Sequence, residues 1–291
     1  MDPSSETSIR EIPGSYGIPF IQPIKDRLEY FYGTGGPDEF FRSRVQKYQS
    51  TVFHTNMPPG PFISSNPKVI VILDAKSFPV LFDVSKVEKK NLFTGTYMPS
   101  TKLTGGYRVL PYLDPSEPRH AQLKNLLFFM LKSSSTRVIP QFQTTYTELF
   151  LVLESELAKN GKAAFNEVGE QAAFRFFGRA YFNSNPEETK LGTSGPTLIT
   201  SWVLFNLSPL GTAGLPWFLE DILLHTFRLP SFLIKSNYNK LYNYFESVAT
   251  PVIKQAETLG VPKDEALHNI LFAVCFNTFG EYVIKYCTWF L

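Results

Sequence analysis

Only two cysteines, Cys275 and Cys287, occur in the 291 residues. Two cysteines build no disulfide framework, so a reducing compartment is the default expectation. Excess charge is also missing: 28 basic against 26 acidic side chains leave a formal charge of +2. That excludes the basic footprint of a nucleic-acid binder and the acidic block of a solvating tail. Long apolar runs are absent too. The longest toward the end of the chain runs from Ile270 to Phe276, far short of the roughly 20 residues a bilayer requires. Extending it to Leu291 meets Asn277, Glu281 and Lys285, so no transmembrane segment is expected. The opening MDPSSETSIREIPGSYG has neither the apolar core of a signal peptide nor the Arg- and Ser-rich, acid-poor character of a plastid leader.

Several catalytic signatures are lacking. There is no HExxH, no CxxC and no GxSxG, and His54 and His225 are isolated, so zinc hydrolysis and serine-nucleophile chemistry have no foothold. The glycines of Lys89 to Arg108 follow no strand and precede no GKS or GKT, so they form no phosphate cradle. No repeat occurs.

What the chain does have is apolar mass, 43% hydrophobic and 15% aromatic residues, enough for a sizeable core. The length allows one large domain or two small ones, at roughly 100 to 200 residues each. Residues 12–23 are punctuated by Pro and Gly and read as extended. An amphipathic helix is predicted from Asp38 to Tyr48, with Phe41, Val45 and Tyr48 on one side. β-Branched runs predict strands at Thr51 to His54 and Val69 to Leu73, and Asp74 reads as the cap of a helix over Ala75 to Phe82. Lys89 to Arg108, KKNLFTGTYMPSTKLTGGYR, has too little periodicity for a helix and reads as a loop.

Further helices are predicted at Pro118 to Lys132, Pro140 to Lys159, Glu167 to Tyr181, Thr197 to Leu207 and Asn237 to Leu259. In the first of these Leu123, Leu126, Leu127 and Met130 form the apolar stripe, and Pro118 starts it. His120 and Lys124, four apart, stack on the margin of that stripe. Trp202, Phe205 and Trp217 read as core or pocket lining. The result is a mainly α fold with a small β portion.

The last stretch organises the rest. Pro262 suits a first turn, and Asp264 and Glu265 place negative charge at the positive end of a helix dipole. On a helical wheel Ile270, Ala273, Asn277, Glu281 and Ile284 share one face. A polar amide thus sits inside an apolar stripe, where it needs either a backbone partner or a ligand.

HNILFAVCFNTFG at 268–280 resembles the central helix of the plant allene oxide synthases, haem-thiolate proteins of the cytochrome P-450 superfamily. LFTGTYMPS, inside the Lys89 to Arg108 loop, resembles the same family closely. The resemblance runs from about Arg10 through Gly280. It implies that residues 1–280 are the N-terminal portion of a single P-450-type domain, ending in its central long helix. It further implies haem b as cofactor and a polyunsaturated fatty-acid hydroperoxide as substrate, dehydrated to an allene oxide without a reductase or molecular oxygen. By that resemblance Asn277 orients the hydroperoxide, the ring of Phe93 guides the radical, and Lys89, His120 and Lys124 hold the haem carboxylates.

Beyond NTFG the likeness stops. Residues 281–291 do not resemble the family, and its ExxR-type pair and Cys-ligand loop have no counterpart, so no iron ligand is expected and Glu281 puts a carboxylate one turn from Asn277. The chain therefore reads as a truncated and inactive form of such an enzyme. Two other readings stand beside it. One is a non-catalytic protein of a lipid- or rubber-particle surface; the other is a hydroperoxide lyase, in which a Leu would be expected at position 93. The expected location is the cytoplasm or such a lipid surface, with the plastid as the alternative.

Overall fold

A computed structural model of the chain describes residues 11–279. Its regular structure is mainly helical, with one two-stranded antiparallel sheet, the α+β class that the sequence pattern predicts. The described residues fall into two compact units, one of 11–88, 92–98 and 208–228, the other of 89–91, 99–207 and 229–279.

In the first unit the backbone from residue 11 to 20 is irregular apart from a bridge from Gly14 to His54. A helix absent from the sequence-based expectation, α1 (Ile21–Tyr32), begins just after it. Pro23 lies in its first turn, where a missing N–H costs nothing. Helix α2 (Gly36–Tyr48) and strands β1 (Val52–Asn56) and β2 (Lys68–Ile72) come next, with Phe53 opposite Val71. Asp74 does cap, accepting the N–H groups of Lys76 (3.0 Å) and Ser77 (2.8 Å). The capped segment is a 3-10 turn, Phe78–Phe82, rather than the expected helix. Pro79 accounts for that, because inside a helix it would remove a donor and crowd the preceding turn. The core of this unit is aromatic: Tyr30 meets Phe40 edge-on at 5.4 Å, and Phe53 is fully buried.

The short helix α6 (Trp217–Glu220) and the π-helical turn Asp221–Thr226 belong to the same unit. A buried guanidinium ties them to α1. Arg27 donates to both carboxylate oxygens of Asp221 (2.9 and 2.7 Å) and to the carbonyls of Pro59 (2.9 Å) and His225 (2.7 Å). Trp217, expected in a core or pocket, is instead 56% exposed.

The second unit is helical. Where the sequence predicts two helices, one from Pro118 and one from Pro140, a single 43-residue helix, α3 (Pro118–Asn160), runs through Pro140. Ser133 and Ser134 donate to the carbonyl of Met130 (3.1 and 2.8 Å) and Ser135 to that of Lys132 (2.9 Å). Their hydroxyls thus bond back into the helix rather than capping a new one. Arg137 adds a tie to the carbonyl of Ala180 in α4 (Phe165–Phe182) at 2.9 Å, and farther along Leu149 and Leu153 pack on Ala172. The opposite happens over 237–259, where the predicted single helix breaks at Ala249 into α7 (Phe232–Val248) and α8 (Thr250–Thr258), with Pro251 in the first turn of the second piece.

Helix α5 (Gly195–Leu207) places Trp202 in the core, edge-on to Phe272 at 5.7 Å. Last comes α9 (Lys263–Thr278), which packs against α3, α4, α5, α7 and α8. Being surrounded, it is apolar on nearly every side: Ala266, Leu267, Ile270, Leu271 and Cys275 have no exposed surface. The expected continuation through Glu281 to Ile284 lies outside the described residues.

Candidate functional site

The residues that the sequence singles out divide between the units. Lys89, His120, Lys124 and Asn277 belong to the second, and Phe93 to the first.

Within the second unit an acid connects two of them. Asp114 lies buried in the turn DPSEP that leads into α3. Its Oδ1 accepts from the backbone (2.9 Å) and hydroxyl (2.5 Å) of Ser116, an Asx-type turn. Its Oδ2 accepts the backbone N–H of Lys89 at 2.5 Å. The hydroxyl of Ser116 is the largest influence holding Asp114 below the usual carboxylate range, and the charge of His120 acts in the same direction. Asp114 thus bonds the backbone of Lys89, and His120 follows six residues later in the first turn of α3. Lys124 is one turn farther along α3, exposed, with its Nζ 5.6 Å from the centre of the Phe128 ring.

A second acid braces the arrangement. Glu117 accepts the N–H of Asp114 (3.0 Å) and is chelated by Arg108, which lowers its pKa. Arg108 also donates to the Asn91 side chain at 2.7 Å. Asn269 of α9 accepts the N–H of Leu110 at 2.7 Å, so the loop before α3 is pinned to the central helix. Among the described residues, neither Lys89 nor Lys124 has a carboxylate partner. Partial burial lowers the pKa of the Lys89 ammonium.

Asn277 lies at the C-terminal end of α9 and is exposed. Its Nδ2 donates to the carbonyl of Ala273, one turn back, at 2.6 Å. The amide's partner in this structure is therefore the backbone of its own helix. No hydrogen bond among the described residues joins it to Lys89, His120 or Lys124.

Phe93 is half-buried in a tight turn of the first unit, where its N–H and that of Thr94 both meet the carbonyl of Tyr97 (2.8 and 3.2 Å). Thr96 anchors the turn by donating to the carbonyl of Pro58 at 3.0 Å. Arg228, donating to the carbonyls of Met98 (2.8 Å) and Ile63 (2.8 Å), secures the segment that leaves it.

Among the described residues no group of three His, Cys, Asp or Glu side chains could hold an ion. Cys275 is completely buried inside α9, and burial pushes its thiol pKa well up. A thiolate is what ligates. Cys287 lies outside the described residues. The described residues thus offer cationic side chains and no three-residue metal cluster or exposed thiolate.

Sequence reasoning missed Asp114, Glu117, Arg108 and Asn269. The DPSEP turn signals a local bond from Asp114 to Ser116, but its long-range bond to Lys89 has no sequence signal.

No family model matches the chain. Curated proteins do. The chain is 85% identical over 280 residues to an allene oxide synthase of Parthenium argentatum, covering 96% of this chain and 59% of that protein. It is 60% identical over 271 residues to the chloroplastic allene oxide synthase 1 of Solanum lycopersicum, covering 93% and 51%. It is 58% identical over 277 residues to the chloroplastic allene oxide synthase of Arabidopsis thaliana, covering 95% and 53%. The chain therefore spans between about half and three fifths of the length of these relatives.

Proposed function

Since this chain belongs to the allene oxide synthase family, within the cytochrome P-450 superfamily, we propose that it carries the hydroperoxide-facing side of that family's haem site. The observation that carries the proposal is identity of 85% to a named allene oxide synthase across 96% of the chain. Residues 1–280 would be the N-terminal portion of one P-450-type domain, and residues 281–291 a tail outside it.

In the complete enzyme the haem supplies the splitting of the hydroperoxide O–O bond, and the net reaction converts a fatty-acid hydroperoxide into an allene oxide and water. The residues of this chain bind and orient. Lys89, His120 and Lys124 would meet the two carboxylates of the haem edge, where a charge-assisted contact is about twice as strong as a neutral one. Asn277 presents its amide to the hydroperoxide. To do so its Nδ2 leaves the Ala273 carbonyl, at a cost of about 0.5 to 1.5 kcal/mol for an ordinary hydrogen bond. Phe93 turns an aromatic face toward the reacting chain. Among the described residues no group of three His, Cys, Asp or Glu side chains could hold an ion and Cys275 is a buried thiol, so no step through the metal is assigned to this chain alone.

The test is a chimera in which residues 1–280 are followed by the remaining sequence of the Parthenium argentatum relative. Supplied with haem and a polyunsaturated hydroperoxide, it is expected to give the ketols that form when an allene oxide meets water. Asn277→Ala should reduce turnover by about 10²-fold, a typical loss for one orienting contact at the reacting centre. Short-chain aldehydes would instead assign the site to a hydroperoxide lyase and overturn the role given to Phe93.

A second reading, peripheral lipid association, has its own observation. Trp217, Phe218, Leu219, Ile222 and Leu223 are all exposed, whereas the two acids among them turn inward. Glu220 accepts the N–H groups of Ala213 (2.7 Å) and Leu215 (3.0 Å), and Asp221 pairs with Arg27. The side left outward is an uncharged aromatic and aliphatic face, the composition of an interfacial segment. Among the described residues no helix is long and apolar enough to cross a membrane. The chloroplastic relatives favour a plastid lipid surface over a cytoplasmic particle. Flotation of the chain with phosphatidylcholine vesicles, weakened by Trp217→Asp, is expected; recovery only in the soluble or pelleted fraction would sink this reading.

A further inference from the structure

We infer that Asp114 is a positioning residue that fixes Lys89 against the turn leading into the His120 helix and leaves the Lys89 ammonium free for a dicarboxylate ligand; this rests on the haem-edge reading. The deciding feature is which donor Asp114 takes. A carboxylate next to a lysine ordinarily takes the ammonium and quenches it. Asp114 takes the backbone N–H of Lys89 (2.5 Å) and gives its other oxygen to Ser116. Glu117, the other acid of the turn, is likewise engaged by Arg108 and not by a lysine of the edge.

The segment 89–91 is consequently held at both ends by the residues that lead into α3. Asp114 holds Lys89, while Arg108 holds the Asn91 side chain (2.7 Å) and the Asn91 N–H meets the Tyr112 carbonyl (3.1 Å). No regular element contains this segment, so these bonds fix where Lys89 stands. Its side chain is exposed and lacks a carboxylate partner among the described residues, so an incoming anion adds a charge-assisted contact. Lys124 lies beyond His120 by about 6 Å along α3, at roughly 1.5 Å per residue, a spread suited to two carboxylates and too wide for one small anion.

The substitution Asp114→Asn isolates this role. An amide oxygen can still accept both Ser116 donors, while the amide nitrogen, itself a donor, faces the Lys89 N–H. Ser116→Ala is the control, since it removes a hydrogen bond of the same turn and leaves Lys89 bonded. The full chain is titrated with metal-free protoporphyrin IX, which needs no iron ligand, and with its dimethyl ester, which lacks the carboxylates. Asp114→Asn is expected to weaken protoporphyrin binding about tenfold, the equivalent of roughly 1.4 kcal/mol, and to leave ester binding unchanged. Hydrogen exchange at the Lys89 amide should accelerate in that variant alone.

Equal weakening of both ligands, or a matching loss in Ser116→Ala, would mean that Asp114 only holds the fold together and would overturn the inference. So would an unchanged Lys89 exchange rate. If the unsubstituted chain discriminates in no way between protoporphyrin and its ester, the haem-edge reading fails, and exchange at Lys89 still decides whether Asp114 latches the segment.

Discussion

Tyr238 and His268 share a hydrogen bond of 2.7 Å between the phenol oxygen and the imidazole Nδ1, buried between α7 and α9. Burial lowers the pKa of His268 to about 4, an effect that the charge of Asp264 partly offsets. The native ring is therefore neutral at pH 7, while in the unfolded chain it titrates near 6.5. Protons then favour the unfolded state. The stability this ring permits is fully present above about pH 6.5 and is lost as pH falls from there toward 4, by roughly 1.4 kcal/mol for each pH unit at most. Urea midpoints measured between pH 8 and pH 4 should decline in that window, and His268→Gln should flatten the decline. His225, whose pKa burial also lowers, leaves a residual slope; an unaltered slope in the variant would assign the effect elsewhere.

Breaking the Arg27–Asp221 pair should be costly. The guanidinium is 1% exposed and its donors are matched to fixed acceptors. Asp221→Ala leaves that charge buried without its counter-ion, at about 3 to 5 kcal/mol. Removing the exposed Arg42–Glu39 pair by Arg42→Ala should cost no more than about 0.5 kcal/mol. Denaturation monitored by the fluorescence of Trp217, which shares the unit with Asp221, compares the two.

Two asparagines of α9 should behave oppositely. Asn269 is buried and is the acceptor for the half-buried Leu110 N–H, so Asn269→Ala removes that bond and should cost about 1 kcal/mol or more. Asn277 is exposed and bonds its own helix, so Asn277→Ala should shift stability by no more than about 0.5 kcal/mol. Thermal melts of the pair, read beside turnover of the chimera, would separate a residue kept for folding from one kept for chemistry. Marked destabilisation by Asn277→Ala would argue against its catalytic role.

Cys275 should be inert. Its complete burial and raised pKa keep it a thiol, so an aromatic disulfide reagent should modify it only on unfolding. Cys275→Ala should leave a haemin titration of the chain unchanged; a lost absorbance shift would make Cys275 a ligand.

Element types are legible in the sequence where periodicity and punctuation agree, and misleading where the two compete. Pro140 reads as the start of a helix, because proline commonly stands there, yet α3 passes through it with the preceding serines bonded back into the helix. Pro79 does the reverse and limits a well-capped segment to a 3-10 turn. Helix α1 is hidden by the proline in its own first turn. Lys89, His120 and Lys124 are proposed for the site only through family resemblance, since lone basic residues have no signature of their own. Asp114 is not legible, because its role lies in a bond to a backbone group 25 residues away. Asn277 is expected within an apolar stripe and is instead exposed, although Thr278 and Phe279 just after it are buried.

The most direct test of the proposal that this chain holds the haem edge without ligating its iron is the carbon monoxide difference spectrum of ferrous haem bound to the 291-residue chain, recorded beside that of the chimera. On the proposed assignment the haem edge lies on this chain, while Cys275, the cysteine among residues 11–279, is a fully buried thiol. The thiolate-type band is therefore predicted from the chimera and not from the chain alone. A thiolate-type band from the chain alone would contradict it.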